Sequence, residues 1–172
     1  MKANMTKQVI STSVSVGIAT GLYGISFGAI GAAAGLSVPA VMLLSLLMFS
    51  GASQFAFVGV IAAGGAPITA ISSAWLLGVR NSFYAIRLSP VIGPRGLWRL
   101  LAAQLTIDES NAVSAAQEQP KDQKLGFWLT GVAVFIFWNS ATLLGAIGGN
   151  LLGSVVTWGL DGAAAAAFLG LL

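Results

Sequence analysis

Apolar residues fill this chain in long unbroken runs, and charged residues are confined to the short stretches between them. Residues 8–79 carry no charged side chain, and a second charge-free run covers residues 125–160. Apolar positions do not alternate with polar ones, as they would in the roughly ten-residue strands of a membrane barrel. Since a helix needs about 20 residues to cross a hydrocarbon core of roughly 30 Å, the first run alone has the length of three crossings.

Glycine and proline divide these runs into five candidate membrane-spanning helices. Their approximate bounds are residues 9–34, 39–63, 67–89, 125–149 and 151–172. The polar connection, residues 90–124, contains one stretch, residues 97–117, with the composition of an amphipathic or partly embedded helix. The pattern therefore predicts an all-α integral membrane protein whose residues 1–172 form a single membrane domain.

Composition agrees with this prediction and excludes several functions. The chain is 56% hydrophobic and 8% charged, and it has no cysteine and no histidine, so we expect neither a metal site nor a cofactor. The net charge of +3 comes from residues that flank apolar spans, which favours a membrane-flanking role over nucleic-acid binding. Lys2 and Lys7 resemble the start of a signal peptide, but no small-residue cleavage site follows, so we expect a retained first helix.

The lysines near the N-terminus and the basic residues of the polar connection give conflicting indications of which side of the membrane each segment faces. Positively charged residues normally lie on the cytoplasmic side, which places both Lys2 and Lys7 and the basic connection inside. Three full crossings between them would put the two clusters on opposite sides. Either one span is re-entrant, or one cluster lies outside, in which case the larger central cluster should stay inside.

Glycines in the first span recur at alternating intervals of four and three residues, so they share one helix face. These are Gly17, Gly21, Gly24, Gly28, Gly31 and Gly35. Gly145, Gly149 and Gly153 repeat the spacing later in the chain. In lipid, small residues let helix backbones approach closely. Helix packing is therefore the favoured role, although some of these glycines could line a substrate path.

Two sequence echoes suggest an internal repeat. Gly-Ala-Ile-Gly occurs at residues 28–31 and again at 145–148, and the segment that begins at Gly51 resembles the one that begins at Gly162. The echoes predict a 3+3 inverted repeat with broken helices, in which residues 9–89 form one unit and residues 125–172 an incomplete second unit. Chance similarity between Gly- and Ala-rich segments is the alternative. Asp161 then corresponds to Ser50, either as an ionisable group facing a cavity or as a helix N-cap.

Polar residues interrupt the second span at one place. Ser50, Ser53 and Gln54 share a helix face, and Gly51 allows the helix to break there. This face must point inward, because an amide facing lipid would have no hydrogen-bond partner. Its side chains either hydrogen-bond neighbouring helices or contact a polar substrate, and we favour the substrate. Gln54→Leu should then impair transport more than folding.

Arg80, near the end of the third span, has two possible roles. Its side chain could extend to the lipid headgroups. Alternatively it could pair with Asp108, Glu109 or Asp161, or with a substrate carboxylate. In the fourth span, Trp138 and Asn139 form a further predicted inward-facing pair close to the middle of the helix.

Several motifs together resemble the AzlC family, the larger subunit of two-component branched-chain amino acid exporters. The resemblance covers nearly the whole chain and rests on residues 24–28 (GISFG), 50–55 (SGASQF), 80–84 (RNSFY), 106–110 (TIDES), Trp138 with Gly145, and 159–161 (GLD). The chain departs from the family pattern at Gly78 and Asn81, where the family has Asn and His, so the role of these two positions stays open. Family chains also continue for several tens of residues past Leu172, which predicts a sixth span beyond this sequence.

The resemblance implies a multi-pass protein of the bacterial cytoplasmic membrane that exports valine, leucine, isoleucine or other apolar amino acids. It also implies a small AzlD-type membrane subunit as partner. We hypothesise a secondary transporter driven by the proton gradient, and not an enzyme, because no nucleophile has a histidine partner. A non-transporting scaffold or a channel-like subunit is the alternative.

The expected substrate-binding residues lie in and beside the second, third and fourth spans: Ser50, Gly51, Ser53, Gln54, Phe55, Arg80, Asn81, Tyr84, Trp138 and Asn139. The expected proton-coupling residues are the carboxylates nearest the spans, Asp108, Glu109 and Asp161.

Overall fold

The structure, a computed structural model, describes the backbone of residues 2–152 and the side chains of residues 6–149. This part of the chain is helical and contains no strand, which confirms the all-α prediction. Its helices are α1 (Lys2–Ala33), α2 (Val38–Leu47), α3 (Gly51–Ala62), α4 (Pro67–Ile92), α5 (Trp98–Gln104), α6 (Asp108–Ala115) and α7 (Pro120–Leu152). Two of them, α1 and α7, are long and apolar enough to cross a membrane, over Thr6–Ala33 and Pro120–Gly149.

The helices α1 and α7 pack side by side and run in the same direction. A Cβ added to Gly17 would lie 2.6 Å from the Ala133 Cβ, and one added to Gly24 would lie 2.6 Å from the Trp138 carbonyl oxygen. Nearer the N-termini of both helices, the Thr130 hydroxyl donates to the Ser13 Oγ at 2.9 Å. The glycine face of α1 is therefore a packing surface, as the favoured interpretation predicted.

This parallel packing gives the molecule two distinguishable ends. Lys7 lies six residues before Ser13 and Lys124 six residues before Thr130, so both lysines mark the same end, called the lysine end below. Ala29, which packs against Gly149, marks the far end. Corresponding spans of an inverted repeat cross in opposite directions, so the parallel packing does not confirm the inverted repeat, and most of the second repeat lies outside the described residues.

The predicted second span is two short helices that form a hairpin entering from the far end. Val41 of α2 contacts Gly31, and further along, the rings of Phe49 and Phe135 meet at a centroid distance of 5.0 Å. The chain then turns at Ser50, and α3 runs back, which brings the ring of Phe55 to 5.9 Å from that of Phe27. The predicted break at Ser50 is confirmed. The prediction that residues 39–63 cross the membrane is not confirmed, because α2 and α3 leave on the same side of the turn and each is too short to count as a candidate span.

The helix predicted at 97–117 is also two helices, and they form a second hairpin that enters from the lysine end. The Trp98 ring packs on the Trp128 ring at 5.9 Å, Leu105 reaches Gly131 deeper in the molecule, and Val113 on the returning helix contacts Gly126. One hydroxyl interrupts the helix: Ser110 Oγ accepts from the Ile107 N–H at 3.1 Å and donates to the Leu105 carbonyl at 2.6 Å. It thereby replaces bonds that a continuous helix would make between backbone groups.

Two helices extend beyond the C-terminal ends that the sequence predicted for them. The helix α4 runs through Pro90 to Ile92, because proline in the last turn removes only one backbone bond and Gly93, with φ of +56°, closes the helix by donating to the Ser89 carbonyl. The helix α7 continues past Gly149, where close contact with α1 offsets the low helix propensity of glycine. The fifth span is not confirmed, because residues 153–172 lie outside the described part.

Candidate functional site

A cavity of about 180 Å³ lies where the tips of the two hairpins meet. Helices α1, α4 and α7 form the rest of its wall. Its lining comprises Thr20, Tyr23, Phe49, Ser50, Gly51, Ala52, Phe55, Arg80, Ile107, Asp108, Glu109, Val134 and Trp138. Both hairpin tips, where the backbone is irregular, line this cavity. We call this the tip cavity.

Arg80 holds the second hairpin tip to α4 through a salt bridge. Its Nη2 lies 2.5 Å from the Asp108 Oδ2, and the other oxygen of this carboxylate accepts a bond from the Tyr84 hydroxyl at 2.8 Å. Both Asp108 oxygens are therefore occupied, whereas the buried Arg80 Nε has no hydrogen-bond partner in the described part of the chain. Of the two roles considered for Arg80, the structure supports pairing with Asp108 over extension to the headgroups.

Glu109 lines the same cavity but has different partners. The Thr20 hydroxyl and the backbone N–H of Glu109 itself interact favourably with its carboxylate, and Arg80 acts on it through its charge. Glu109 lies on α6, outside both candidate spans. Removal from water raises the pKa of the Glu109 carboxyl above its ordinary value, and the neighbouring Asp108 charge acts in the same direction.

Two half-helices begin at the tip cavity. The helix α3 starts at Gly51, and Ser50 before it is extended, with φ of −157° and ψ of 101°, and offers no side-chain cap. The helix α6 starts at Asp108. Helix N-termini carry unpaired N–H groups and partial positive charge. These N-termini and Arg80 bring positive charge to the cavity, and Asp108 and Glu109 bring two carboxyl groups.

Aromatic rings close the apolar side of the tip cavity. Trp138 is 4% exposed, and its ring centroid lies 6.1 Å from those of both Phe27 and Phe55. A Cβ added to Gly51 would come within 3.3 Å of the Trp138 ring. Glycine at this position therefore leaves room for the indole directly beside the first hairpin tip.

A second, wider cavity of about 630 Å³ lies on the other side of the first hairpin tip, between that hairpin, α4 and α5. Phe49 and Ser50 line both cavities. The second cavity also contains Ser53 and Asn81, whose Oγ and Oδ1 atoms are buried without a hydrogen-bond partner. We call this the side cavity.

Gln54 and Asn139 lie away from the lining of both cavities. Gln54 is fully buried, and its Nε2 donates to the carbonyls of Leu44 and Ser45 at 3.2 and 3.3 Å. It thus joins the two arms of the first hairpin, which is the helix-bonding role that the sequence left open. Asn139 donates to the Phe135 carbonyl at 2.7 Å, within its own helix.

The tip cavity therefore unites seven of the predicted site residues: Ser50, Gly51, Phe55, Arg80, Asp108, Glu109 and Trp138. Tyr84 reaches it through Asp108, Ser53 and Asn81 lie in the side cavity, and Asp161 lies outside the described residues. The six lining residues that were not predicted from the sequence are Thr20, Tyr23, Phe49, Ala52, Ile107 and Val134. Thr20 and Tyr23 lie three residues apart, and this spacing places them on one face of α1. The pattern of neighbouring glycines was the stronger signal in that segment. Within residues 6–149 no group of three or more acidic side chains could hold a metal ion.

Comparison with known proteins points to one family. Residues 15–152 match the family model described as "AzlC protein". An "Uncharacterized membrane protein" of Haemophilus influenzae is 27% identical over 144 residues, which cover 81% of this chain and 57% of the relative. The chain therefore spans little more than half the length of this relative. No solved structure matches the chain.

Proposed function

Because the chain belongs to the AzlC family, we propose that it is part of a secondary transporter that exports branched-chain or other apolar amino acids. The observation that carries the proposal is the tip cavity, where Arg80 and the N-termini of α3 and α6 adjoin a wall of apolar side chains. An apolar amino acid presents a carboxylate next to a hydrocarbon side chain. The cavity offers a complementary surface to each.

Arg80 is our candidate for the carboxylate. One edge of its guanidinium is engaged by Asp108, and the buried Nε has no partner. A substrate carboxylate at the N-terminus of α3 would supply the missing acceptor, and backbone N–H groups at Gly51 and Ala52 would share its charge. Discontinuous membrane helices with this arrangement bind anionic substrate groups in other transporters.

The apolar wall is our candidate for the substrate side chain. Phe49, Phe55, Val134 and Trp138 approach the cavity from two helices and the first hairpin tip. Such a wall favours leucine, isoleucine, valine or methionine over polar amino acids, since a polar side chain would lose its hydrogen bonds to water there.

Among the proton-coupling candidates we favour Glu109. Asp108 has both oxygens engaged by Arg80 and Tyr84, so we assign it the role of positioning the arginine. Glu109 lines the cavity, and its immediate side-chain partner is the neutral Thr20 hydroxyl. A carboxyl in that setting can take up and release a proton while the Arg80 pair stays intact.

We propose that the lysine end faces the cytoplasm of a bacterial cell, with the protein in the cytoplasmic membrane and bound to a small AzlD-type subunit. Lys7 and Lys124 lie at this end, and so do Arg95 and Trp98, which share a surface groove with Lys124. This orientation satisfies the positive-inside rule for both basic clusters. The two basic clusters can share one end because the first hairpin returns to the far end instead of crossing the molecule.

Counterflow tests the proposal with the full-length protein in membrane vesicles. Vesicles loaded with unlabelled leucine should accumulate labelled leucine, and Arg80→Gln should abolish this exchange. Arg87→Gln is the matched control, because Arg87 lies on the same helix but bonds Asn111 outside the tip cavity. If folded wild-type protein exchanges no apolar amino acid, or Arg80→Gln exchanges at the wild-type rate, the scaffold alternative is the better description.

A further inference from the structure

The two hairpins distribute their helix ends unequally between the two cavities. The N-termini of α3 and α6 lie at the tip cavity. The C-terminal ends of α2 and α5 lie at the side cavity, which Leu47, Met48, Ala103 and Gln104 help to line. At the end of α2, the amides of Gln54 and Gln104 already donate to the carbonyls of residues 44–46, which leaves the Leu47 carbonyl as the one that faces the cavity without such a side-chain donor among the described residues. Because helix C-termini carry partial negative charge, the two cavities differ in the sign of charge that they favour.

The side cavity also contains buried polar atoms without partners. Ser53 is 2% exposed, and its hydroxyl has no hydrogen-bond partner among residues 6–149. Asn81, on the facing helix α4, has a buried Oδ1 that likewise has no partner. The two residues come from adjacent positions in the structure, since a Cβ added to Gly78, one turn before Asn81, would lie 3.4 Å from the Ser53 Oγ. Buried polar atoms without partners carry an energetic cost unless a ligand satisfies them.

Among residues 6–149, no charged side chain lines the side cavity. Its other polar side chains are the hydroxyls of Ser50, Ser82 and Thr106 and the amide of Gln104, whose nitrogen is engaged by the Leu46 carbonyl. Neutral oxygen ligands without a carboxylate suit a monovalent cation, whereas Ca²⁺ and Mg²⁺ are normally held by carboxylates.

From these observations we propose that the side cavity is a cation site, in which Ser53 and Asn81 bind a monovalent positive charge beside the C-terminal end of α2. Two sources have this chemistry: a sodium ion, and the ammonium group of an amino acid. If the second source is correct, the site deepens the proposed function, because a zwitterion would then place its carboxylate in the tip cavity and its ammonium beyond Ser50.

The test measures thermal stability of the purified full-length protein, so it does not depend on transport. The melting temperature is followed against added NaCl, KCl, or leucine methyl ester, which has an ammonium group but no carboxylate, with choline chloride keeping the ionic strength constant. A saturable rise with NaCl identifies sodium, and a saturable rise with the ester alone identifies the ammonium group. Either result supports a cation site, and a response to none of the three overturns it.

Two variants locate the site. Asn81→Asp adds a negative charge with little change in shape, so the cation concentration for half-maximal stabilisation should fall by about tenfold or more. Ser53→Ala removes one ligand and should raise that concentration severalfold. Asn111→Asp is the matched control, because Asn111 lies on α6 outside the side cavity and should leave the concentration unchanged. The site is refuted if Asn81→Asp and Asn111→Asp behave alike, or, should Asn81→Asp not fold, if Ser53→Ala matches the wild type.

Discussion

Arg80 and Asp108 join α4 to the tip of the second hairpin, with Nη2 and Oδ2 2.5 Å apart. The pair lines the tip cavity together with the N-terminus of α3. Its side chains keep 31% and 22% of their surface exposed. Such partial exposure limits what the pair adds to stability and leaves the guanidinium open to a ligand.

Asp108→Asn should therefore impair transport far more than folding. We expect a stability loss of about 1 kcal/mol, because the pair is partly exposed to solvent. Counterflow of leucine should fall at least tenfold, since small displacements of a positioning charge cost that much or more. Asp122→Asn, which removes a carboxylate from the first turn of α7, should leave both measurements unchanged. Wild-type transport in Asp108→Asn would show that the ion pair is not needed for function.

Gly28 provides a test of the packing between α1 and α7. A Cβ at this position would meet the Thr142 carbonyl oxygen and lie 2.6 Å from the Ala146 backbone nitrogen. Since backbone atoms cannot move aside as a flexible side chain could, Gly28→Ala should destabilise the protein by about 1–3 kcal/mol. The melting temperature of the purified protein measures this loss.

Gly59→Ala is the matched control for Gly28→Ala. Gly59 also lies within a helix, but a Cβ there would have no neighbour within 4 Å. Alanine is the better helix former, so this substitution should leave stability unchanged or raise it by up to about 1 kcal/mol. Equal losses in the two variants would contradict close backbone packing as the role of the glycine face.

The helical class, the glycine face and the break at Ser50 could all be predicted from the sequence, because each depends on local spacing or composition. The candidate side-chain partners of Arg80 could be narrowed to three carboxylates, because few acidic residues lie near the apolar spans. The direction of α3 could not be predicted. A 25-residue apolar segment (39–63) has the length of one crossing, and only contacts with Phe27 and Trp138 of other helices show that its second half turns back.

The second hairpin escaped prediction for a different reason. Residues 97–117 have helix-forming composition throughout, and the interruption depends on one buried hydroxyl, that of Ser110, which bonds backbone groups of Leu105 and Ile107. Serine is common in helices, so its presence alone does not reveal which backbone groups it will bond. The depth to which Asp108 and Glu109 enter the molecule follows from that interruption.

Gln54→Leu should lower stability, because Gln54 joins the arms of the first hairpin. Its amide donates to the Leu44 and Ser45 carbonyls. The Leu44 carbonyl also accepts from the Met48 N–H, so leucine would leave mainly the buried Ser45 carbonyl without its donor, at a cost of about 1–3 kcal/mol. Gln104→Leu is the control, since Gln104 makes a similar bond to the Leu46 carbonyl in a more exposed setting and should cost less. An unchanged melting temperature with reduced leucine counterflow would instead support the original expectation that Gln54 contacts the substrate.

Glu109 should make stability depend on pH in a defined direction. Its pKa is raised above the ordinary value of 4.5, mainly by removal from water, with Asp108 acting in the same direction and Arg80 and the Thr20 hydroxyl opposing it. The neutral carboxyl therefore suits the fold better than the carboxylate. The stability that it contributes is fully present below the unfolded-state pKa and is lost as the pH rises through the folded-state pKa.

Glu109→Gln, which imitates the neutral carboxyl, should not show this loss. Its melting temperature at neutral pH should equal or exceed that of the wild type, whereas Glu118→Gln, at an exposed site before α7, should follow the wild-type profile. In vesicles, Glu109→Gln should still exchange leucine in counterflow, because binding does not need the proton. It should not accumulate leucine against its gradient when a pH gradient is imposed. Wild-type accumulation by Glu109→Gln under a pH gradient would exclude this carboxyl as the proton carrier.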